Sequence, residues 1–295
     1  MFYINRTHVR PKILTYPRIK VKRQIHITQS LHTFEEYVNT QKSLTINPIT
    51  IILLDVRTVL TERLNMSHRK VFAILDIETI TDATLAFDIA WIVYNRKGEE
   101  LERKNYYVKE LADTPFFTKL LSNDKFMKNK CQFYIDGKND MIIMSLADIA
   151  NDFNNIGVRY GADVVMCAYN ASFDYNVLND NMQMYTNSNF FEDDIEIVDI
   201  MTMALATICD TNKYVRWCQL NNCVTAKGNV RTNAETIYGY LINDANFIEE
   251  HHALADCEIE TIIYFKSRKY KKKQHKQFAS PIFRCAEWKK VQNRR

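Results

Sequence analysis

The chain has 295 residues, of which 46% are hydrophobic and 25% are charged, and its formal net charge is +4. This composition is typical of a soluble globular protein and excludes a collagen-like or low-complexity chain. No stretch approaches the roughly 18 apolar residues of a membrane span, and the N-terminus lacks the apolar core of a signal peptide. We therefore expect a cytoplasmic protein with no membrane partner.

Positive and negative charges are unevenly distributed along the chain. Residues 1–70 carry a net charge of +8, residues 71–265 carry −15, and residues 266–295 carry +11. An acidic middle between two basic ends suits metal chemistry combined with segments that hold a polyanion.

Residues 1–69 predict a small, basic N-terminal α+β appendage. Apolar and polar residues alternate over 19–28, which favours a half-buried strand with a basic outer face. Apolar residues then recur at helical spacing after Ser30, and residues 49–56 form a second apolar run. Asp55, at the end of that run, is followed by Arg57 instead of a second carboxylate, so we expect it to be structural.

The main domain is predicted to span residues 70–265. Gly98 lies between two strand-like runs and predicts an antiparallel meander. Strands are expected at 71–77, 87–94, 101–108, 164–168 and 195–198. Helices are expected at 141–153, from 171 to 178 and beyond, and at 200–208, 233–241 and 253–265. This order predicts an α/β fold in which helices flank a mixed sheet, followed by a basic C-terminal tail, residues 266–295.

Two carboxylates end the first strand of this domain, in the sequence VFAILDIET. Asp76 and Glu78 are two residues apart, so they share one face of a strand at about 6.6–7 Å along the chain. Two like charges on one face repel each other unless a positive charge lies between them. Because Mg²⁺ prefers carboxylate oxygens and water, the pair indicates a metal site.

More acidic residues follow at the ends of other apolar elements. Asp174 lies one turn into the helix after strand 164–168, and Asp256 lies in the last long helix, five residues after His251. An acid among apolar residues is more often paired or metal-bound than idle. Asp199 follows strand 195–198 and is predicted to cap the next helix.

Together these segments resemble the DEDDh family of 3′–5′ exonucleases. The resemblance rests on three motifs in order, Asp76-Ile77-Glu78-Thr79, Asn170-Ala171-x-Phe173-Asp174 and His251-x-Ala253-x-x-Asp256, and covers residues 70–265. It implies a ribonuclease H-like fold and hydrolysis of single-stranded DNA or RNA from a free 3′ end, releasing nucleoside 5′-monophosphates, with DNA favoured. The family includes polymerase proofreading subunits, so a separate polymerase or replication protein is an expected partner. Residues 232–260 are similar to phage-encoded members, which implies a viral protein in the host cytoplasm.

The resemblance also implies a role for each site residue. Two Mg²⁺ or Mn²⁺ ions would be held by four carboxylates, those of Asp76, Glu78, Asp174 and Asp256. His251 would be the general base, and we expect the competing base, His252, to be a solvated neighbour. Substrate would be bound around Thr79, Ile80, Asn170 and Phe173. Ile80-Thr81 stands where many members have a glycine, so the contact to the terminal nucleotide is expected to differ here.

Other functions remain open from the sequence. No motif in the sequence would recognise a 2′-hydroxyl, so the choice between DNA and RNA stays open. An exoribonuclease or oligoribonuclease is therefore the alternative within enzymes. A catalytically silent nucleic-acid-binding or polymerase-associated module is the alternative of another class, although all five motif positions are intact. The segment 266–295 either binds phosphates or forms a solvated tail. If it binds phosphates, deletion of residues 266–295 should flatten the salt dependence of binding and leave hydrolysis of short oligonucleotides intact.

Overall fold

Six strands form one mixed sheet in the computed structural model, which describes residues 69–80, 84–112, 142–270 and 281–294. Three of the strands form an antiparallel meander, and the other three each pair in parallel with a neighbour. The spatial order is β4-β3-β2-β1-β5-β6. The strands are β1 (Lys70–Ile80), β2 (Leu85–Tyr94), β3 (Glu100–Val108), β4 (Ile142–Met144), β5 (Asp163–Ala168) and β6 (Glu196–Asp199).

Helices cover both faces of this sheet, which confirms the predicted α/β class of a mixed sheet flanked by helices. They are α1 (Lys109–Ala112), α2 (Leu146–Asn154), α3 (Ile156–Tyr160), α4 (Ser172–Thr186), α5 (Ile200–Ala206), α6 (Asn212–Leu220), α7 (Ala234–Ile242), α8 (Ala253–Arg268) and α9 (Pro281–Gln292). In the described part of the chain, no helix combines the length and apolar character needed to cross a membrane.

Alternation along β1 divides the core between the two faces of the sheet. Phe72 and Ile74 pack with α5, α7 and α8, whereas Ala73 and Leu75 pack with α2 and α4 on the opposite face. Successive strand residues point to opposite faces, so Asp76 and Glu78 continue the face that carries α8. Burial of both faces explains why β1 is apolar at almost every position before Asp76.

The described end of the chain forms a packed helix rather than a solvated tail. Helix α9 packs on α5, and its residue Val291 is buried in the α5–α8 core. The Gln292 side chain donates a hydrogen bond of 3.0 Å to the carbonyl of Val230. Lys290 and Arg294 both form ion pairs with Asp210, at 3.5 and 3.0 Å. Deletion of residues 266–295 would therefore remove buried contacts as well as positive charge, so hydrolysis of short oligonucleotides is no longer expected to survive it.

Several elements differ from those that the sequence pattern predicts. Residues 142–144 are not helical but pair in parallel with the end of β3, and the helix begins only after Ser145, which accepts a hydrogen bond from the Asp148 N–H. Three apolar residues in a row do not distinguish strand from helix by periodicity. Helices α3, α6 and α9 were not expected. The predicted strands and helix of the N-terminal appendage lie outside the described residues.

Candidate active site

Three mutually parallel strands run to the same edge of the sheet. Asp76 and Glu78 lie in β1 beyond its pairing with β5, and Asp174 follows β5. Strand β1 pairs with β5 up to Ile74 and Cys167, and β5 pairs with β6 up to Ala168 and Asp199. Ligand sites in open α/β sheets lie at this carboxyl edge. The sheet thus brings residues that are about a hundred positions apart in sequence to one place.

Helix α4 places Asp174 at this edge. Asn181, seven residues later on the same helical face, accepts a 2.9 Å hydrogen bond from the Ala86 N–H and donates one of 2.7 Å to the Thr84 carbonyl. These bonds fix α4 to the start of β2. Asp174 is 2% exposed and accepts a backbone hydrogen bond from Ile77 in β1. The first turn of α4 is therefore held directly against the strand that carries the other acids.

Helix α8 brings Asp256 to the same edge from one face of the sheet. The fully buried carboxylate of Asp88 in β2 accepts a hydrogen bond of 3.3 Å from the Ala253 N–H and one of 2.5 Å from the Asn105 side chain. The Cys257 thiol lies 3.4 Å from the Ile74 carbonyl, and this contact holds the helix against β1. Asp88 pairs across the strands with Glu78, so the anchor of α8 lies next to the site.

The two adjacent histidines have different surroundings. Single ligand atoms of Glu78, His251 and Asp256 all lie within 4.8 Å of one another, and the His251 side chain is 45% exposed. The His252 ring instead lies 3.8 Å from the Asp88 carboxylate and is 15% exposed. Burial lowers the pKa of His252, with Glu250 and Glu258 acting in the opposite direction. The expectation that His252 is a solvated neighbour is therefore wrong.

A fifth carboxylate, Glu260, belongs to the same cluster and was not predicted. Glu260 is 3% exposed and accepts a 3.1 Å hydrogen bond from the Tyr169 N–H. Burial raises its pKa, and the charges of Asp174 and Asp256 raise it further. Glu260 lies four residues after Asp256, which places both side chains on one face of α8. That spacing was the signal in the sequence that could have revealed it.

The predicted acids are close enough to affect one another's protonation. Burial raises the pKa of Asp76, and the charges of Glu260, Asp256, Asp174 and Glu78 raise it further, in that order. Burial also raises the pKa of Asp174, which the backbone hydrogen bonds oppose. The acids that the sequence predicted from three separate segments thus lie near enough to Glu260 and to one another for their charges to interact.

This donor set fits hard divalent cations. Carboxylate oxygens are the ligands that Mg²⁺ and Mn²⁺ prefer, and a cation among these acids would remove the repulsion that raises their pKa values. The mutual distances within 4.8 Å for Glu78, His251 and Asp256 are compatible with ligand atoms around a shared ion. The residues that would hold the ions are Asp76, Glu78, Asp174 and Asp256.

The predicted substrate-binding residues differ in accessibility. Ile80 is fully buried with Phe87 and Tyr107, which leaves it no exposed surface for contact with a nucleotide in this conformation. Thr79 is half-buried beside an irregularity in the β1–β2 pairing. Phe173 is half-buried against the α4 core. Asn170 has a left-handed backbone conformation, with φ of 67°, directly before α4.

The two tyrosines near Asp174 have structural partners. The Tyr169 hydroxyl donates a hydrogen bond to the Thr232 carbonyl. The Tyr175 ring stacks on Phe191, with ring centroids 5.2 Å apart. Both rings therefore have structural roles in the fold.

Replacing Glu260 with glutamine is expected to stabilise the protein in EDTA. When folding raises the pKa of a carboxyl group, the folded protein is most stable at low pH, where the group is protonated. That stability is lost as the pH rises through the folded-state pKa. The difference in Tm between Glu260→Gln and wild type should therefore grow as the pH rises above about 4. Each kcal/mol of added stability corresponds to a rise in Tm of about 2–4 °C. Differential scanning calorimetry at several pH values measures it.

Glu258→Gln is the matched control for this experiment, because Glu258 lies on the same helix with its side chain 52% exposed and paired with Arg103. The Glu258→Gln variant should show no increase in Tm that grows with pH. Added Mn²⁺ should shrink the advantage of Glu260→Gln, because a bound cation favours the ionised form of the wild-type acid. An advantage that is constant across pH would contradict the electrostatic account.

Comparison with known proteins gives similarity to solved structures only, since no family model and no curated protein matches the chain. Escherichia coli exonuclease I in complex with a dT13 oligonucleotide is 13% identical, with a TM-score of 0.44 over 68% of this chain and 41% of that one. Exonuclease X in complex with 5′ overhanging duplex DNA is 16% identical, with a TM-score of 0.38 over 70% of this chain and 97% of that one. This chain thus spans about two-fifths of the length of exonuclease I. At these identities a likeness concerns the fold alone, so function has to be inferred from the residues of the site.

Proposed function

We propose that this protein is a divalent-metal-dependent 3′–5′ exonuclease that releases nucleoside 5′-monophosphates from single-stranded nucleic acid, with DNA favoured. The observation that supports the proposal is the convergence of acids from β1, α4 and α8 with an exposed histidine at one edge of the sheet. Buried carboxylates that raise one another's pKa are costly for folding, and such clusters occur preferentially at functional sites. The 3′–5′ direction is what the resemblance of the three motifs to the DEDDh exonucleases implies.

The acids would act as ligands of two Mg²⁺ or Mn²⁺ ions, in a set of Asp76, Glu78, Asp174 and Asp256. The bound ions would supply Lewis-acid stabilisation of the charge that develops on the phosphate oxygens. The chain orients these carboxylates before substrate arrives, through the Ile77 N–H on Asp174 and the Asp88 anchor at the start of α8.

His251 would take the proton from the attacking water. Its side chain lies beside Glu78 and Asp256 yet is 45% exposed, so water and a substrate phosphate can both reach it. A general base has to be within hydrogen-bonding reach of the proton that it removes. His252 instead lies against Asp88 and is only 15% exposed.

The function is tested with 5′-labelled single-stranded DNA and RNA in Mg²⁺, in Mn²⁺ and in EDTA. We expect a ladder that shortens from the 3′ end with either metal and no shortening in EDTA. Shortening of RNA alone would favour the exoribonuclease alternative. Binding of oligonucleotides without shortening in either metal would contradict the proposal and favour a silent binding module.

A further inference from the structure

The turn that carries Asp174 lacks the usual cap at the start of its helix. Helix α4 begins after Ala171, which offers no side-chain hydrogen bond to the first turn. The preceding residue, Asn170, has φ of 67°, a left-handed conformation that asparagine adopts more readily than most residues but that is less favourable than the right-handed one. Contacts from elsewhere in the chain therefore help to hold the turn in place.

Helix α9 supplies one of these contacts through Arg284. A terminal nitrogen of the Arg284 guanidinium donates a hydrogen bond to the Asn170 side-chain oxygen and lies 3.3 Å from a carboxylate oxygen of Asp199. Asp199 in turn accepts hydrogen bonds from the backbone of Asn170 and, at 3.1 Å, from the Thr202 N–H. The arginine thus joins the end of β6, the start of α5 and the turn before α4.

On its other side the same turn is bonded to the acid cluster. The Tyr169 N–H donates to Glu260, and within the turn the Phe173 N–H donates a 2.8 Å bond to the Asn170 carbonyl. Arg284 and Glu260 therefore hold the turn from opposite sides. A shift of Asn170 would reach the first turn of α4 through Phe173, where the Ile77 N–H is the other contact that orients the carboxylate of Asp174.

We propose that Arg284, delivered by the C-terminal helix α9, is a positioning residue of the active site that fixes the turn from which α4 presents Asp174. The inference rests on the proposed function and extends it, because it assigns part of the basic C-terminal segment to the architecture of the site rather than to binding of distant phosphates. Metal-ligand carboxylates need orientation to a fraction of an ångström, and a planar guanidinium is well suited to bridge an amide and a carboxylate.

The test compares Arg284→Ala and Arg284→Lys with Arg294→Gln in the full chain. Arg294 lies two residues beyond the end of the same helix and pairs with Asp210 and Asn212, so it is the matched control. The measurements are kcat and KM on a single-stranded oligonucleotide, and Mn²⁺ affinity by electron paramagnetic resonance without substrate. Removal of residues that orient metal ligands typically costs about 10–100-fold in activity or metal affinity.

We expect Arg284→Ala to lower kcat and weaken Mn²⁺ binding by about 10-fold or more, with KM nearly unchanged. Millimolar guanidinium should restore part of this loss, and Arg284→Lys should retain more activity than Arg284→Ala because it keeps the charge beside Asp199. Arg294→Gln should match wild type in rate and metal affinity. If Arg284→Ala fails to fold, Arg284→Lys provides the same comparison with an intermediate loss.

Two results would overturn the positioning role. One is an Arg284→Ala protein with the kcat and Mn²⁺ affinity of Arg294→Gln. The other is an Arg284→Ala protein with a raised KM but unchanged kcat and Mn²⁺ affinity, which would make Arg284 a substrate contact instead. If wild type hydrolyses no nucleic acid but Arg284→Ala still weakens Mn²⁺ binding, the proposed function fails and the positioning role stands.

Discussion

Replacing Asp174 with asparagine is expected to lower the rate of hydrolysis about 10³-fold or more, because loss of a metal-ligand charge removes several kcal/mol of transition-state stabilisation. Asparagine has nearly the same shape as aspartate and can still accept the backbone hydrogen bond from Ile77. The variant should therefore fold and bind oligonucleotides. Single-turnover hydrolysis of labelled DNA, together with binding measured by fluorescence anisotropy, tests both parts.

Asp180→Asn is the matched control, since Asp180 lies on the same helix, exposed and away from the sheet edge. It removes one negative charge from α4 without changing the acid cluster, so its hydrolysis rate should equal that of wild type. Full activity in Asp174→Asn would refute the site. Equal losses in both variants would point to a general effect of charge on α4 rather than to metal binding.

The parts of this fold that were predictable are those in which one local pattern matches one local structure. The sequence of β1 is an apolar run that ends in Asp76 and Glu78, and in the structure the strand is buried on both faces up to that point. Asp199 was predicted to cap a helix, and it accepts the hydrogen bond from the Thr202 N–H. In both cases the residue's role depends on its neighbours in sequence, which the pattern displays directly.

The unpredicted features depend on tertiary contacts. Glu260 shares a helical face with Asp256, which the sequence shows, but the docking of α8 is what makes Glu260 buried and Glu258 exposed. Arg284 lies in a strongly basic segment, which is typical of a solvated tail. Its partners, Asn170 and Asp199, are 114 and 85 residues away in sequence. No periodicity or motif encodes such a contact.

The site also shows why the two histidines could not be separated by sequence alone. Both precede α8, and the chain turns sharply between them, with φ of 51° at His251 and an extended conformation at His252. The left-handed residue directs its side chain toward Glu78 and Asp256, whereas the extended one faces Asp88. Backbone conformations that are costly for residues other than glycine occur preferentially at functional sites. This outlier is therefore a second observation that favours His251 as the base.

Replacing His251 with asparagine is expected to lower the hydrolysis rate about 10²–10⁴-fold, the usual contribution of a general base. Asparagine adopts the left-handed conformation more readily than most residues, so the variant should keep or gain stability despite the change at φ of 51°. A rate loss with an unchanged or raised Tm would thus be chemical rather than structural. Single-turnover rates and calorimetry on the same preparation measure the two quantities.

His252→Gln separates the two candidate bases. It removes the imidazole that lies 3.8 Å from Asp88, so it should lower Tm while leaving the chemical step within a few-fold of wild type. The reverse pattern, with a large rate loss in His252→Gln and little in His251→Asn, would transfer the role of base to His252. That outcome would require His252 to leave its contact with Asp88 when substrate binds, because its ring is only 15% exposed there, whereas it is His251 whose ligand atom lies within 4.8 Å of Glu78 and Asp256.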